Sequence, residues 1–205
     1  MRYLRAICIA LMGMVFVGYT QAGTGAREHI DRLSDEAALL AQSQQSAGIA
    51  LADEIWNLAE LGYLEFQSSS ALQNYLRDND FQVDSDAGGI PTAFVASYRS
   101  NGADDADPVI AILAEFDALP GLNQAATPFR SVFKEGGSGH ACGHHLFGAG
   151  SAGAAIAVKE WLERTGTPGT IQFFGTPAEE GGSGKVYICL LYTSPSPRDV
   201  AESRM

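Results

Sequence analysis

Two apolar runs separated by a long helical segment constrain the fold of this chain most. Val109–Ala114 is a continuous apolar run, and Thr170–Phe174 has the composition of another buried strand. Such runs are typical of strands buried on both faces of a parallel sheet. Between them, Leu146–Glu163 predicts a helix that ends at Gly166 and Pro168. The alternation of strand and helix predicts an α/β fold with a largely parallel sheet.

The segment before these runs predicts further helices and strands. Ala26–Gly62 has apolar residues at helical spacing. A second helix is predicted to begin near Ser70, because Ser70 and Gln73 fit a capping box. Phe81–Val83 and Thr92–Tyr98 are short strand candidates that precede the first apolar run.

The N-terminus predicts a signal peptide over residues 1–22. Met1–Arg5 contains two arginines, Ala6–Val17 is an apolar run, and Thr20–Ala22 offers small residues to a signal peptidase. We therefore expect an exported protein, periplasmic or secreted, that begins near Gly23 and has no stable membrane insertion after cleavage. An N-terminal anchor helix is the alternative.

The C-terminal segment Cys189–Met205 resembles the translation of a transposase adapter used in DNA sequencing libraries. A natural tail rich in proline and serine is the alternative. We expect the segment to be non-native, which leaves residues 23–188 as the native part of the mature chain.

Composition excludes two classes of protein. The chain has 24 acidic and 13 basic residues and a formal net charge of −11, whereas a nucleic-acid binder needs a basic face. Only Cys142 of the three cysteines lies within residues 23–188, so a disulfide framework is excluded. The thiol of Cys142 therefore needs another explanation.

The neighbours of Cys142 point to a metal. His140–His145 contains the cysteine and three of the chain's four histidines. Thiolate and imidazole are good zinc ligands, and Cys142 and His144 can turn toward one centre because only a glycine separates them. The dipole of a helix that begins at about His144 would favour a thiolate at Cys142. The alternatives are a lone cysteine with unrelated histidines and a cysteine–histidine nucleophile pair.

Carboxylates follow both apolar runs. Asp117 comes just after the first run, and Glu179 and Glu180 come just after the second, at the strand ends where α/β sheets place ligands. One of the adjacent glutamates can bind a metal while the other acts as a general base on water. The alternatives are an Asp117 that only caps the turn before Pro120 and an acidic surface turn at the two glutamates.

These motifs together resemble the aminoacylase/carboxypeptidase family of di-metal amidohydrolases, and within it the branch of the p-aminobenzoyl-glutamate hydrolase subunits. The resemblance extends over nearly all of residues 27–188. It implies a three-layer α/β/α catalytic domain, of which this chain holds the N-terminal part without the lid and dimerisation domain. The stretches that carry the resemblance are Ala111–Gln124, Gly139–Leu146, Ala154–Leu162 and Gly175–Tyr187.

The resemblance also implies a role for five residues. It implies two divalent ions, zinc or manganese, and the thiolate favours zinc. His145, where many relatives have Asp or Asn, receives no role. The implied metal ligands are Cys142, His144 and Glu180, the general base is Glu179, and the carboxylate that orients a ligand from beside the metals is Asp117.

Members of this family cut the amide bond between an acyl or aroyl group and an amino acid. The resemblance therefore implies a small acyl-amino acid as substrate and a full-length parent that is a homodimer or hetero-oligomer. Relatives have further histidine ligands downstream, whereas His29 is the remaining histidine here, so we expect this chain to be inactive. A truncated paralogue that binds without cleaving and a dipeptidase or carboxypeptidase of the same superfamily are the alternatives.

Overall fold

A computed structural model of the protein describes residues 27–193. The predicted signal peptide and most of the predicted adapter segment lie outside these residues. The chain divides into two compact units, Met1–Leu40 and Ala41–Met205. In the first unit the described residues, 27–40, are helical. The second unit contains the sheet and the predicted site residues.

The N-terminal helical segment is shorter and more broken than its apolar spacing predicts. Helix α1 covers residues 27–43, a turn follows at Gln44, and helix α2 covers Gln45–Leu58. The prediction of a helix to Gly62 is wrong, because Ala59 ends α2 in the left-handed conformation with φ of 43°.

Helix α3 covers Phe66–Arg77, so the prediction of a start near Ser70 is wrong. The cap comes from Glu60, whose Oε1 accepts the N–H of Gln67 at 3.1 Å and whose Oε2 accepts the N–H of Ser68 at 2.7 Å. These bonds satisfy two N–H groups that a helix start leaves open. The capping residue lies before the helix and outside the local pattern, which explains the error.

The strands form one mixed four-stranded sheet. In chain order they are β1 Gln82–Ser85, β2 Phe94–Arg99, β3 Val109–Ala114 and β4 Thr170–Gly175. Their order in the sheet is β1-β2-β4-β3. The four predicted strands and the α/β class are confirmed.

Within the described residues the parallel pairing is confined to β3 and β4, while β1 with β2 and β2 with β4 are antiparallel. The sheet is thus mixed where a largely parallel one is predicted. The connections explain this, because helix α4, His144–Thr165, crosses over between β3 and β4. The strands β1 and β2 are joined only by a short link through the 3₁₀ turn Ala87–Gly89.

On one face of the sheet, helix α3 packs on β1 and β2 and helix α4 packs on β3 and β4, while α2 packs on both helices. The rings of Phe94 and Phe173 stack there with centroids 5.8 Å apart. Both rings are fully buried, so truncating either to alanine is expected to cost about 3–5 kcal/mol. This core fixes the carboxyl ends of β3 and β4, where the predicted site residues begin.

The opposite face of the sheet is covered less completely. Phe174 packs there with Ile90, Ala93 and Ile188, the last from helix α6, Gly184–Thr193. This helix crosses the predicted boundary at Ile188, and that boundary stays a prediction.

Strand β3 lies at the sheet edge, and its side chains are more exposed than a strand buried on both faces would be. Val109 is 57% exposed, Ile110 43% and Leu113 40%. The prediction of burial on both faces is therefore wrong for this strand, because an apolar run does not specify whether a strand is central. Among the described helices we find none long and apolar enough to cross a membrane.

Candidate metal centre

The predicted site residues meet at the carboxyl ends of the adjacent parallel strands β3 and β4. Asp117 follows β3, Glu179 and Glu180 follow β4, and His144 is the first residue of α4. Their atoms come within hydrogen-bonding or ion-pairing distance of His144. The structure thus brings together segments that are far apart in sequence, at the sheet edge where such folds place ligands.

The imidazole of His144 is the centre of the cluster. Its Nδ1 lies 2.8 Å from Asp117 Oδ1, and its Nε2 lies 2.9 Å from Glu115 Oε2. The same Nε2 lies 3.8 Å from Glu179 Oε2 and 3.9 Å from Glu180 Oε1. When Nδ1 donates its proton to Asp117, the lone pair of Nε2 faces the three glutamates. Carboxylates orient metal-binding histidines in this way.

Two groups of side chains could hold a cation, and both include His144. Cys142, His144 and Glu180 form one group, and Glu115, His144 and Glu179 form the other; within each group the candidate ligand atoms lie within 4.8 Å of one another. Glu180 Oε1 is buried without a hydrogen-bond partner among the described residues. A set of thiolate, imidazole and carboxylate suits zinc, so these residues fit the implied metal.

Glu115 has no role in the sequence prediction, yet its carboxylate directly contacts the imidazole of His144. It is the first residue after β3, and its carboxylate contacts both His144 and the ammonium of Lys185. Asp117 lies two residues further on. An available signal was the position of Glu115 at the end of the same strand that supplies Asp117.

Two local effects act in opposite directions on the thiol of Cys142. Helix α4 begins two residues after it, but a hydrogen bond to Glu180 raises the pKa of the Cys142 thiol above its ordinary value. The negative charges of Glu179 and Glu115 act in the same direction. The nearby carboxylates thus oppose the helix dipole, and the thiolate at Cys142 stays a prediction. A divalent cation would reverse that balance by displacing the thiol proton.

The turn after β4 separates the two glutamates. Ala178 has φ of 54°, and the short helix α5, Glu179–Gly182, follows it. The Glu180 N–H donates to Asp117 Oδ2 at 2.9 Å, so Asp117 holds the turn with one oxygen and His144 with the other. The Glu179 side chain is 42% exposed against 22% for Glu180. Glu179 is thus the more accessible of the two to a substrate.

His140 and His145 form a separate buried pair. His140 Nε2 lies 3.0 Å from the carbonyl oxygen of Ile55, and the His145 ring lies edge-on to Trp56 with centroids 4.8 Å apart. Burial and the neighbouring His140 lower the pKa of His145 to about 4. Both imidazoles lie outside the two ligand groups found among the described residues, and the geometry fits a packing role.

Comparison with known proteins identifies the family. Residues 111–197 match the model of Peptidase family M20/M25/M40. The chain is 43% identical over 162 residues to a p-aminobenzoyl-glutamate hydrolase subunit of Escherichia coli, a match that covers 78% of this chain and 32% of the relative. The chain belongs to Peptidase family M20/M25/M40. The predicted resemblance is thereby confirmed.

Two further relatives extend this result. The chain is 29% identical to the Xaa-Arg dipeptidase of Mus musculus over 85% of this chain and 38% of the relative. A Bacillus subtilis dinuclear metal-binding peptidase of the M20 family superposes with a TM-score of 0.60 and 26% identity, over 72% of this chain and 39% of that one. The chain therefore spans about a third of the length of these relatives.

Proposed function

We propose that this chain is part of a metal-dependent hydrolase that cleaves the amide bond between an acyl or aroyl group and an amino acid. The observation that carries the proposal is the imidazole of His144, held by Asp117 on one side and facing a thiol and carboxylates on the other. The 43% identity to an E. coli protein named as a subunit of p-aminobenzoyl-glutamate hydrolase supports this substrate class.

Cys142, His144 Nε2 and Glu180 would hold one divalent ion. We propose two ions in the complete enzyme, as the description of the B. subtilis structure as dinuclear supports, and the thiolate favours zinc over manganese. When bound, divalent ions polarise a scissile carbonyl and lower the pKa of water.

Glu179 is the proposed general base, because its carboxylate is accessible and lies beside the ligand groups. It takes a proton from the attacking water while the water oxygen bonds to the carbonyl carbon. As the carbon–nitrogen bond breaks, Glu179 returns the proton to the leaving amine. Asp117 keeps His144 and Glu180 in place during this step through its two oxygens.

The deciding experiment is Glu179→Gln in the full-length gene product, with p-aminobenzoyl-glutamate as substrate. We expect unchanged metal content and a fall in kcat of about 100-fold or more, as for loss of a general base. Glu54→Gln, on the exposed side of α2, is the matched control and should retain full turnover. Unchanged turnover in Glu179→Gln would remove this residue from the role.

A dipeptidase is the second candidate, because the match to Xaa-Arg dipeptidase extends over 85% of this chain. A panel containing p-aminobenzoyl-glutamate, other N-acyl amino acids and Xaa-Arg dipeptides separates the candidates by kcat/KM. A protein that binds these compounds, holds no metal and hydrolyses none would instead be the binding paralogue.

We further propose that the 205-residue chain alone binds one ion tightly and is inactive. Both ligand groups include His144, whose Nε2 faces Glu115, Glu179 and Glu180, and one lone pair can ligate only one ion. Metal analysis after gel filtration should give about one ion per chain, with no release of p-aminobenzoate from the corresponding substrate. Two tightly held ions or measurable hydrolysis would contradict this proposal.

Export and assembly are also proposals. The signal-peptide pattern supports export, and the name of the E. coli relative, which describes it as a subunit, supports a hetero-oligomer, with a homodimer as the alternative. N-terminal sequencing of the protein from the periplasmic fraction should begin near Gly23. Light scattering of the full-length product, alone and after co-expression with the neighbouring gene products, distinguishes the two assemblies.

A further inference from the structure

The turn that carries Glu179 and Glu180 is held from outside by the segment 60–65, which precedes helix α3. Glu65 Oε1 accepts the N–H of Ala178 at 2.8 Å, and the hydroxyl of Tyr63 donates to the carbonyl oxygen of Gly182. These contacts lie immediately before α5 and at its last residue. The segment thus fixes both ends of the turn.

Glu65 is an unusual residue for this position. Its side chain is fully buried, and the side chain of Thr92 lies beside it. Burial raises the pKa of Glu65 above its ordinary value, since burying a carboxylate away from water is unfavourable. The hydrogen bond from the Ala178 N–H offsets part of this unfavourable burial.

The space around Ala178 leaves the turn little freedom. A Cβ at Gly62 would lie 3.0 Å from both the Cα and the Cβ of Ala178, and a Cβ at Gly182 would lie 2.5 Å from the Cβ of Ala178. Ala178 itself has a left-handed backbone, which is unfavourable for a residue with a side chain. The surrounding contacts therefore impose this conformation.

We propose that Glu65 is a positioning residue for the metal centre, and the inference rests on the proposed roles of Glu179 and Glu180. Two buried carboxylates hold N–H groups on either side of Glu179, since Glu65 accepts from Ala178 and Asp117 accepts from Glu180. Removing the acceptor at Glu65 releases one end of this arrangement. The Glu180 carboxylate then moves away from His144 Nε2, and the ion loses a ligand.

The test compares Glu65→Met, which removes the acceptor at similar size, with Glu65→Gln, which keeps an acceptor oxygen. Glu54→Met on the exposed side of α2 is the matched control. Co²⁺ is the probe, since its visible absorption reports ligand geometry and its affinity is measured by competition with a chelator. The free energy of unfolding without metal is measured in parallel, to separate positioning from general stability.

We expect Glu65→Met to weaken Co²⁺ binding by about 10-fold or more and to change the absorption spectrum, as losses of supporting residues around metals do. Glu65→Gln should stay within about 3-fold of the unmodified chain, and Glu54→Met should match it. Tyr63→Phe, which removes only the hydroxyl bonded to Gly182, should weaken binding by about 2–5-fold with a milder spectral change. If Glu65→Met does not fold, the Tyr63→Phe variant still tests the inference.

Three results would overturn the inference. The first is unchanged Co²⁺ affinity and spectrum in Glu65→Met, even with lower stability. The second is a loss in Glu65→Gln as large as that in Glu65→Met, and the third is an unfolded Glu65→Met with normal binding in Tyr63→Phe. Failure of the unmodified chain to bind Co²⁺ would be a different result, because it removes the proposed metal centre itself and this inference with it.

Discussion

The two ends of strand β3 both carry clusters of acidic residues, and only one of them has the properties of a site. At the amino end, Asp104 accepts the N–H of Ala106 at 2.8 Å, and Asp107 accepts the N–H of Asp104 at 2.8 Å. Asp105 pairs with Arg99 at 2.7 Å, with side chains 93% and 52% exposed. The hydrogen-bonding capacity of these carboxylates is thus met by groups of the same loop, by Arg99 and by exposure to solvent.

At the carboxyl end the acids point to a buried imidazole instead. Glu115, Glu179 and Glu180 all face His144 Nε2, and Glu180 Oε1 has no hydrogen-bond partner among the described residues. Acid content is thus similar at the two ends, while burial and unmet bonding capacity differ. This difference, more than the number of carboxylates, distinguishes a cation site from a solvated loop.

The largest effect that tests this comparison is expected from His144→Ala. Both ligand groups lose their shared nitrogen, so affinity for Zn²⁺ should fall by more than about 100-fold, measured by chelator competition. Asp105→Ala at the opposite end should leave Zn²⁺ affinity unchanged. Equal losses in the two variants would mean that the acid clusters are equivalent.

A smaller loss is expected from Asp117→Asn. The amide keeps one acceptor but cannot serve both His144 Nδ1 and the Glu180 N–H as an anion does. Zn²⁺ affinity should fall by about 10–100-fold, as for other carboxylates that support a metal-binding histidine. Asp107→Asn is the control, since its carboxylate bonds only within its own loop. Unchanged affinity in Asp117→Asn would show that His144 needs no such support.

Acid pH should lower the free energy of unfolding through His145, which lies near the metal centre at the carboxyl end of β3. Its pKa is lowered to about 4 in the folded chain from about 6.5 in the unfolded one, so the folded state favours neutral imidazole. This stability is present above about pH 6.5 and is lost as pH falls toward 4, by up to about 3 kcal/mol. Urea unfolding of His145→Gln against the unmodified chain should show a smaller loss over this range. An identical pH dependence would contradict the assignment.

The smallest effect is expected from Arg99→Ala at the amino end. Its ion pair with Asp105 is largely exposed, and such pairs contribute less than about 1 kcal/mol to the free energy of unfolding, less still in high salt. Urea unfolding of Arg99→Ala and the unmodified chain at low and high salt measures this contribution. A larger, salt-resistant effect would show that this loop is a structural element.

The sequence predicted well where local pattern decides structure. The apolar run Val109–Ala114 has the bounds of β3, and the helix that contains His144 ends before Gly166 as expected. The clustering of Cys142 with histidines indicated a metal, and the structure places Cys142 and His144 in a ligand group with Glu180. These predictions depend on neighbours in the chain.

The predictions that failed depend on contacts between distant residues. Glu60 sets the start of α3, and the insertion of β4 between β2 and β3 leaves β3 at the sheet edge. Glu65 bonds to Ala178, 113 positions away in the chain. No local spacing encodes such a contact, and so the sequence pattern assigned these residues no role.

The methyl group of Ala178 couples the residues that positions 62 and 182 can accept, although these positions share no sequence motif. It occupies the space that a side chain at Gly62 or Gly182 would need. A substitution at either glycine is therefore tolerated only with a compatible residue at position 178, even where its own backbone conformation would accept it. Substitutions in segment 60–65 are therefore tolerated only when they fit the turn at residues 178–182. We expect substitutions in these two segments to be correlated among related sequences.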